Sequence, residues 1–223
     1  MGVVQQRNEA DRDVYAAARD QTVINDSRRI ELTIGEVPHP AAVGLARPVI
    51  GLPRRPARVF EGREEALGIL GRALGARGGA VVTQAVYGLG GVGKSELALH
   101  YADAHRGDYG LVWWITAASA GQLETGLAQL AGRLCPVVPV AGTTTDAAGW
   151  AAGWLQAHDG WLLVLDNVED LTDIEPLLGQ LGGGHVIVTS RRDADWDNLA
   201  ATYRQLGRPA DALPLEERAT QIR

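Results

Sequence analysis

Residues 88–95 read Gly-Leu-Gly-Gly-Val-Gly-Lys-Ser and decide the fold expected for this chain of 223 residues. Their spacing matches G-x-x-x-x-G-K-[ST], in which the backbone N–H groups of a glycine-rich turn surround phosphate groups. An apolar stretch at 80–87 precedes the motif and predicts a strand, and the stretch at 94–105 predicts a helix after it. A strand, this loop and a helix in that order predict a phosphate-binding P-loop domain.

The loop and the first turn of its helix supply most of the candidate nucleotide contacts. The residues concerned are Gly88, Gly90, Gly91, Val92, Gly93, Lys94, Ser95 and Glu96. The glycines supply the turns, Lys94 is expected to bridge the β and γ phosphates, and the Ser95 hydroxyl is expected to bind Mg²⁺. Lys94 is also the only lysine in the chain. A compact ammonium on a thin stem reaches between two phosphates where a planar guanidinium does not.

Strands and helices alternate after the loop, which is typical of a parallel α/β sheet. Strands are predicted at 111–116, 161–166 and 185–189, and helices at 119–134 and 146–158. In the second of these helices Trp150, Trp154 and Leu155 share one face. The predicted fold class is therefore α/β, a P-loop NTPase with three αβα layers and a parallel sheet, followed by a C-terminal helical hairpin.

Two strand ends carry further candidate residues. Asp166 ends an apolar strand and is expected to hold Mg²⁺ together with Ser95. Arg191 follows the strand at 185–189 and is expected near the γ phosphate if that strand lies beside the loop strand. Lys94, Asp166 and Arg191 are thus the candidate catalytic residues. Because the next residue, Asn167, is an amide that cannot take a proton from water, slow hydrolysis is expected.

As a set, these motifs resemble NB-ARC domains of signal-transducing ATPases, the class that includes plant resistance proteins and apoptotic protease-activating factor. The resemblance covers about residues 59 to 192, and rests on the segments 59–64, 88–95, 113–115, 162–167 and 189–191. It implies that Phe60, Gly62 and Arg63 line the adenine and ribose side of the pocket. It also implies ADP or ATP with Mg²⁺ as cofactors, and exchange of ADP for ATP as the activating event.

The remaining segments predict three regions. Residues 1–56, polar at first and then punctuated by prolines, predict a flexible N-terminal arm, and residues 57–193 form the nucleotide-binding domain. Residues 197–223 resemble one tetratricopeptide repeat and predict a helical hairpin. NB-ARC proteins continue after the arginine with a helical lid, so the resemblance implies a domain that is truncated at this point. The loop strand would then lie at an exposed sheet edge.

The bulk composition restricts the partners. The net charge of -6 argues against a surface that coats nucleic acid, and no apolar run approaches the roughly 18 residues that span a bilayer. A single cysteine, Cys135, is expected to be a buried small hydrophobe. The chain is expected in the cytoplasm, with a nucleotide as ligand, a protein partner at the hairpin or the sheet edge, and no membrane or nucleic-acid partner.

Three functions remain open from the residues. The first is a nucleotide-dependent switch with slow or no hydrolysis, so that the chain is at most a slow ATPase. The second is a P-loop ATPase with true turnover. The third is a repeat-based interaction module in which nucleotide binding is vestigial. Phosphate release and stabilisation by Mg-ADP are the measurements that separate them.

Overall fold

The computed structural model describes residues 21–25, 28–32, 36–58, 63–74, 82–86, 93–181 and 183–190; at 21–25, 28–32 and 82–86 only the backbone is described. The strands are β1 (Gln21–Asn25), β2 (Arg28–Leu32), β3 (Val49–Gly51), β4 (Val82–Val86), β5 (Leu111–Thr116), β6 (Trp161–Val168) and β7 (His185–Ser190). The helices are α1 (Glu64–Leu74), α2 (Lys94–Ala104), α3 (Ala120–Leu134), α4 (Val138–Ala141), α5 (Thr144–Ala157) and α6 (Glu175–Gln180). Short 3-10 helices lie at Pro40–Ala42 and Leu171–Asp173.

The central sheet has five strands in the order β3-β5-β6-β7-β4, and every neighbouring pair is parallel. The loop strand β4 pairs with β7, from Val82 opposite His185 to Val86 opposite Thr189. Within the described residues β4 has β7 as its one neighbour, so it lies at the sheet edge. The strands β1 and β2 form a separate antiparallel pair.

Helices cover both faces of the sheet. One face packs its alternate β5–β7 side chains against α3, α5 and α6. The other face packs Val112, Leu162, Val164 and Ile187 against α1 and α2. Because β6 is covered on both sides, its sequence is continuously apolar from Trp161 to Leu165 rather than alternating. The predicted three-layer αβα fold with a parallel sheet is therefore confirmed.

Tryptophan side chains follow the period of the strand β5 and of the helix α5. Trp113 packs against the core of one face and Trp114 against that of the other, each partly buried. In α5, Trp150, Trp154 and Leu155 are all fully buried. The helix begins two residues before the expected position because Thr143 and Asp146 form a capping box.

Part of the predicted N-terminal arm, residues 36–56, packs against the central sheet. β3 pairs with β5 and extends the sheet, and Val49 is only 8% exposed. Val37, Val43 and Leu45 pack against the core that α3 and α5 share. These residues therefore belong to the same folded unit as the central sheet.

Two indole groups explain why this proline-rich segment is ordered. The Nε1–H of Trp150 donates to the Pro38 carbonyl at 2.8 Å, and that of Trp154 donates to the Val43 carbonyl at 2.7 Å. Buried indoles need acceptors, and a segment that lacks regular pairing has free carbonyls to offer. The prolines thus mark a covering segment rather than a flexible one.

The predicted hairpin at 197–223 lies outside the described residues. Cys135 is a free, buried thiol in the α3–α5 core, as expected. Across the ranges that the structure describes, no helix combines the length and apolar character needed to cross a membrane.

Candidate nucleotide-binding site

The first turn of α2 begins where the P-loop ends. Gly93 precedes the helix with φ of 80°, in the left-handed region, and its carbonyl accepts the Leu97 N–H at 2.8 Å. A glycine adopts this conformation without the strain that a Cβ would add. Lys94 is the first helical residue and is only 7% exposed. The start of the helix therefore holds a buried cation beside the backbone N–H groups of the first helical turn, the arrangement that favours an anion.

Ser95 brings α2 into contact with the carboxyl end of β6. Its Oγ donates to Oδ1 of Asp166 at 2.6 Å, across 71 residues of sequence. The Thr189 hydroxyl, on β7, donates to the same Oδ1 at 2.6 Å. Two hydroxyl donors from different elements thus fix one carboxylate, and the structure brings together the two residues expected to hold magnesium.

Asn167 interrupts β6 directly after Asp166. Its φ is 61°, and the pairing of β6 with β7 shifts register between Leu165 and Val168. The Asn167 N–H donates to the Thr189 hydroxyl at 2.9 Å. Asparagine tolerates the left-handed region better than most side chains, so this residue type fits the bulge.

The donor set at this place fits Mg²⁺. Magnesium prefers oxygen ligands, and in nucleotide sites it takes one or two carboxylates and completes its octahedron with phosphate oxygens and water. Since the proton of Ser95 Oγ points to Asp166, the lone pairs of that oxygen are available to a cation. In the described part of the chain no cluster of three or more His, Cys, Asp or Glu side chains is suited to a metal. One hydroxyl and one carboxylate match a metal that a nucleotide helps to hold.

Glu96 has partners that its sequence position does not reveal. Its Oε2 accepts from the Arg54 guanidinium, its Oε1 accepts from the Ala57 backbone N–H, and His100 Nε2 lies 3.4 Å from Oε1. The Arg54 hydrogen bond lowers the pKa of Glu96, with a further contribution from Ala57. Glu96 was expected to contact the nucleotide, but its carboxylate contacts the segment after β3. A contact through its backbone N–H stays a prediction.

Arg54 is the residue that sequence reasoning missed at this site. It lies in Leu-Pro-Arg-Arg-Pro at 52–56, and neither motif nor periodicity separates it from the neighbouring Arg55. Its only signal is a pair of arginines held between two prolines, close to the start of a nucleotide-binding domain.

The other predicted contacts divide into two groups. Arg63 is described and immediately precedes α1, where its carbonyl accepts the Leu67 N–H at 2.9 Å. The remaining candidates lie outside the described residues: Phe60, Gly62, Gly88, Gly90, Gly91, Val92 and Arg191. The condition set for Arg191 is nevertheless met, because β7 pairs directly with the loop strand β4.

Comparison with known proteins gives limited likenesses. No family model matches the chain. It is 32% identical over 172 residues to the regulatory protein AfsR of Streptomyces griseus, a match covering 70% of this chain and 17% of that protein. It is also similar to the crystal structure of Cdc6p from Pyrobaculum aerophilum, with a TM-score of 0.46 and 18% identity, over 70% of this chain and 45% of that one. The chain thus spans less than a fifth of the length of AfsR.

Proposed function

We propose that this chain binds ADP or ATP with Mg²⁺ and acts as a regulatory switch of the NB-ARC type, with slow or no hydrolysis. The observation that carries the proposal is the pair of 2.6 Å hydrogen bonds from Ser95 and Thr189 to Asp166, next to the buried Lys94. These bonds join the helix after the loop to two adjacent strands. They hold a carboxylate beside a hydroxyl, the two kinds of side chain that P-loop nucleotide sites use as metal ligands.

The chain's own residues divide the work of binding. Lys94 and the N–H groups at the start of α2 face the phosphates, with the loop glycines before them. Ser95 and Asp166 hold the cation, and Phe60, Gly62 and Arg63 line the adenine and ribose side. When bound, Mg²⁺ neutralises phosphate charge and orients the phosphate oxygens.

Slow hydrolysis follows from the side chains around Asp166. Asn167 presents an amide at the position after the metal carboxylate, and an amide cannot act as a general base. Of the two carboxylates described at this site, Glu96 is engaged by Arg54 and Ala57, and Asp166 by two hydroxyls. Neither is available to activate water.

A regulatory role draws on the likeness to a protein that is itself named regulatory. Thr189 connects Asp166 to β7, the strand that leads to Arg191. A change at the γ phosphate would thus reach a partner through β7 and the chain after it, where the repeat-like hairpin is predicted. Such a switch would act in the cytoplasm, where ADP and ATP both occur.

Thermal unfolding with and without Mg-ADP tests the proposal. At a ligand concentration 100 times the dissociation constant, stabilisation is about 2.7 kcal/mol, or roughly 5–10 °C for a domain of this size. Lys94→Ala should remove that shift, and Lys94→Arg should remove most of it, because a planar guanidinium does not replace the ammonium.

Three results would contradict this function. An equal shift in the wild type and in Lys94→Ala would place nucleotide binding elsewhere. Phosphate release at one or more turnovers per second, lost in Lys94→Ala, would favour an ATPase with true turnover. Absence of any shift in the wild type would favour the interaction module.

A further inference from the structure

Arg54 reaches the start of α2 from the segment that follows β3. Its guanidinium donates to Oε2 of Glu96 in the first helical turn, and its Nη1 also donates to the Arg55 carbonyl at 3.2 Å. The Arg54 side chain is 55% exposed, whereas that of Glu96 is 16% exposed. A largely exposed cation thus covers a nearly buried carboxylate, 42 residues away in sequence.

Glu96 places a negative charge in the first turn of α2. A carboxylate in the first turn of a helix is favoured by the helix dipole. In a phosphate-binding helix, however, the backbone N–H groups of the same turn must bind an anionic ligand. A negatively charged side chain in that turn repels the ligand. The Glu96 carboxylate therefore stabilises the helix but disfavours binding of the anionic ligand.

Arg54 interacts electrostatically with two carboxylates. The pKa of Arg54 is raised, chiefly by its hydrogen bond to Glu96 and also by the charges of Glu96 and Asp166. The described charged side chains at this place are Lys94 and Arg54, which are positive, and Glu96 and Asp166, which are negative, while the ionisable His100 lies 3.4 Å from Glu96 Oε1. With His100 neutral, the sum of these charges without Arg54 is negative, which disfavours a phosphate.

We propose that Arg54 is a charge-compensating residue of the nucleotide site, which neutralises Glu96 so that the first turn of α2 accepts the phosphates. This inference rests on the proposed function. It assigns the segment 52–58 to the site, and it gives Glu96 a role in the polarity of the site rather than a contact with the nucleotide. It also explains why Glu96 is tolerated one residue after Ser95.

A double-mutant cycle tests the inference with Mg-ADP and Mg-pyrophosphate as titrants. Arg54→Ala should weaken both affinities roughly three- to tenfold at low salt, and less at high salt, because an exposed charge is screened. Glu96→Gln should leave affinity equal or higher. The double variant Arg54→Ala with Glu96→Gln should then bind nearly as well as the wild type.

Two further variants act as controls. Arg54→Lys keeps the charge and should keep most of the affinity, whereas Arg55→Ala removes the adjacent arginine and should change nothing. Circular dichroism checks that each variant is folded. If Arg54→Ala does not fold, Arg54→Gln gives the same comparison, because it removes the charge and keeps a donor.

The outcomes separate this inference from the function it depends on. If the wild type binds Mg-ADP and Arg54→Ala binds it with the same affinity, the inference is overturned and the proposed function stands. A double variant as weak as Arg54→Ala, or weaker, would show that Arg54 is only a structural clamp, and would also overturn it. Absence of Mg-ADP binding by the wild type would overturn both. Rescue by Glu96→Gln is the result that supports it.

Discussion

Thr189 Oγ1 lies 2.6 Å from Asp166 Oδ1, so the hydroxyl of one strand holds the carboxylate of its neighbour. The same hydroxyl oxygen accepts the backbone N–H of Asn167 at 2.9 Å. Thr189 is only 2% exposed, which leaves little water to replace either bond. One side chain thereby sets both the metal carboxylate and the residue after it.

Replacing the Thr189 hydroxyl should lower the free energy of unfolding even when the shape of the side chain is kept. Thr189→Val keeps the shape but leaves the Asn167 N–H without its acceptor, and an unsatisfied buried group costs about 1–3 kcal/mol. Thr189→Ser keeps the hydroxyl and should cost less. Urea unfolding of the three proteins measures the free-energy difference. A Thr189→Val variant as stable as Thr189→Ser would contradict the dominant role of these hydrogen bonds.

The bulge at Asn167 gives a second prediction. Its φ of 61° disfavours a residue with a plain Cβ, so Asn167→Ala should lose about 1 kcal/mol. Asn167→Gly should lose less, because glycine adopts positive φ without a steric cost. Denaturant midpoints compare the two variants directly. A glycine variant less stable than the alanine variant would contradict the strained conformation.

Much of this site can be predicted from the sequence because it depends on the topology of a parallel sheet. A continuously apolar strand that ends in Asp166, and a loop motif that ends in Ser95, place both residues at the carboxyl ends of parallel strands or beside them. Such strand ends meet at one edge of the sheet. Contact across 71 residues is then expected from topology alone.

What the sequence does not reveal depends on the path of irregular chain. Strand β3 has three residues, too few for a period of two to appear. The contact of Arg54 with Glu96 depends on where the segment after β3 travels, and no local preference encodes that path. The indole bonds of Trp150 and Trp154 likewise go to the carbonyls of an unpaired segment.

The place of β3 in the sheet can be tested at a glycine. A Cβ on Gly51 would lie 2.2 Å from the Trp113 ring, so Gly51→Ala must displace a large side chain. Overpacking of this kind costs about 1–3 kcal/mol. Gly44→Ala is the matched control, since a Cβ there meets nothing within 4 Å. If Gly51→Ala were as stable as Gly44→Ala, residues 36–56 would be the flexible arm after all.

A histidine at the opposite end of β7 links stability to pH. His185 Nδ1 lies 2.7 Å from the Tyr109 hydroxyl, and the two rings meet edge to face. Burial lowers the pKa of His185 below its ordinary value of 6.5. Between the two pKa values the unfolded chain therefore binds more protons than the folded one. Stability from this group is present above about pH 6.5 and is lost as the pH falls toward the folded-state pKa.

Urea midpoints between pH 5 and 7.5 measure this loss. The window stays above the range in which Glu96, whose pKa is lowered from 4.5, contributes its own acid dependence. His185→Gln keeps a polar group near Tyr109 but cannot titrate, so its stability should fall less across the window. Tyr109→Phe should be less stable at every pH but should show the same change of urea midpoint with pH as the wild type. The reason is that burial, rather than the tyrosine, lowers the pKa of His185. A glutamine variant with an unchanged slope would assign the pH dependence to another group.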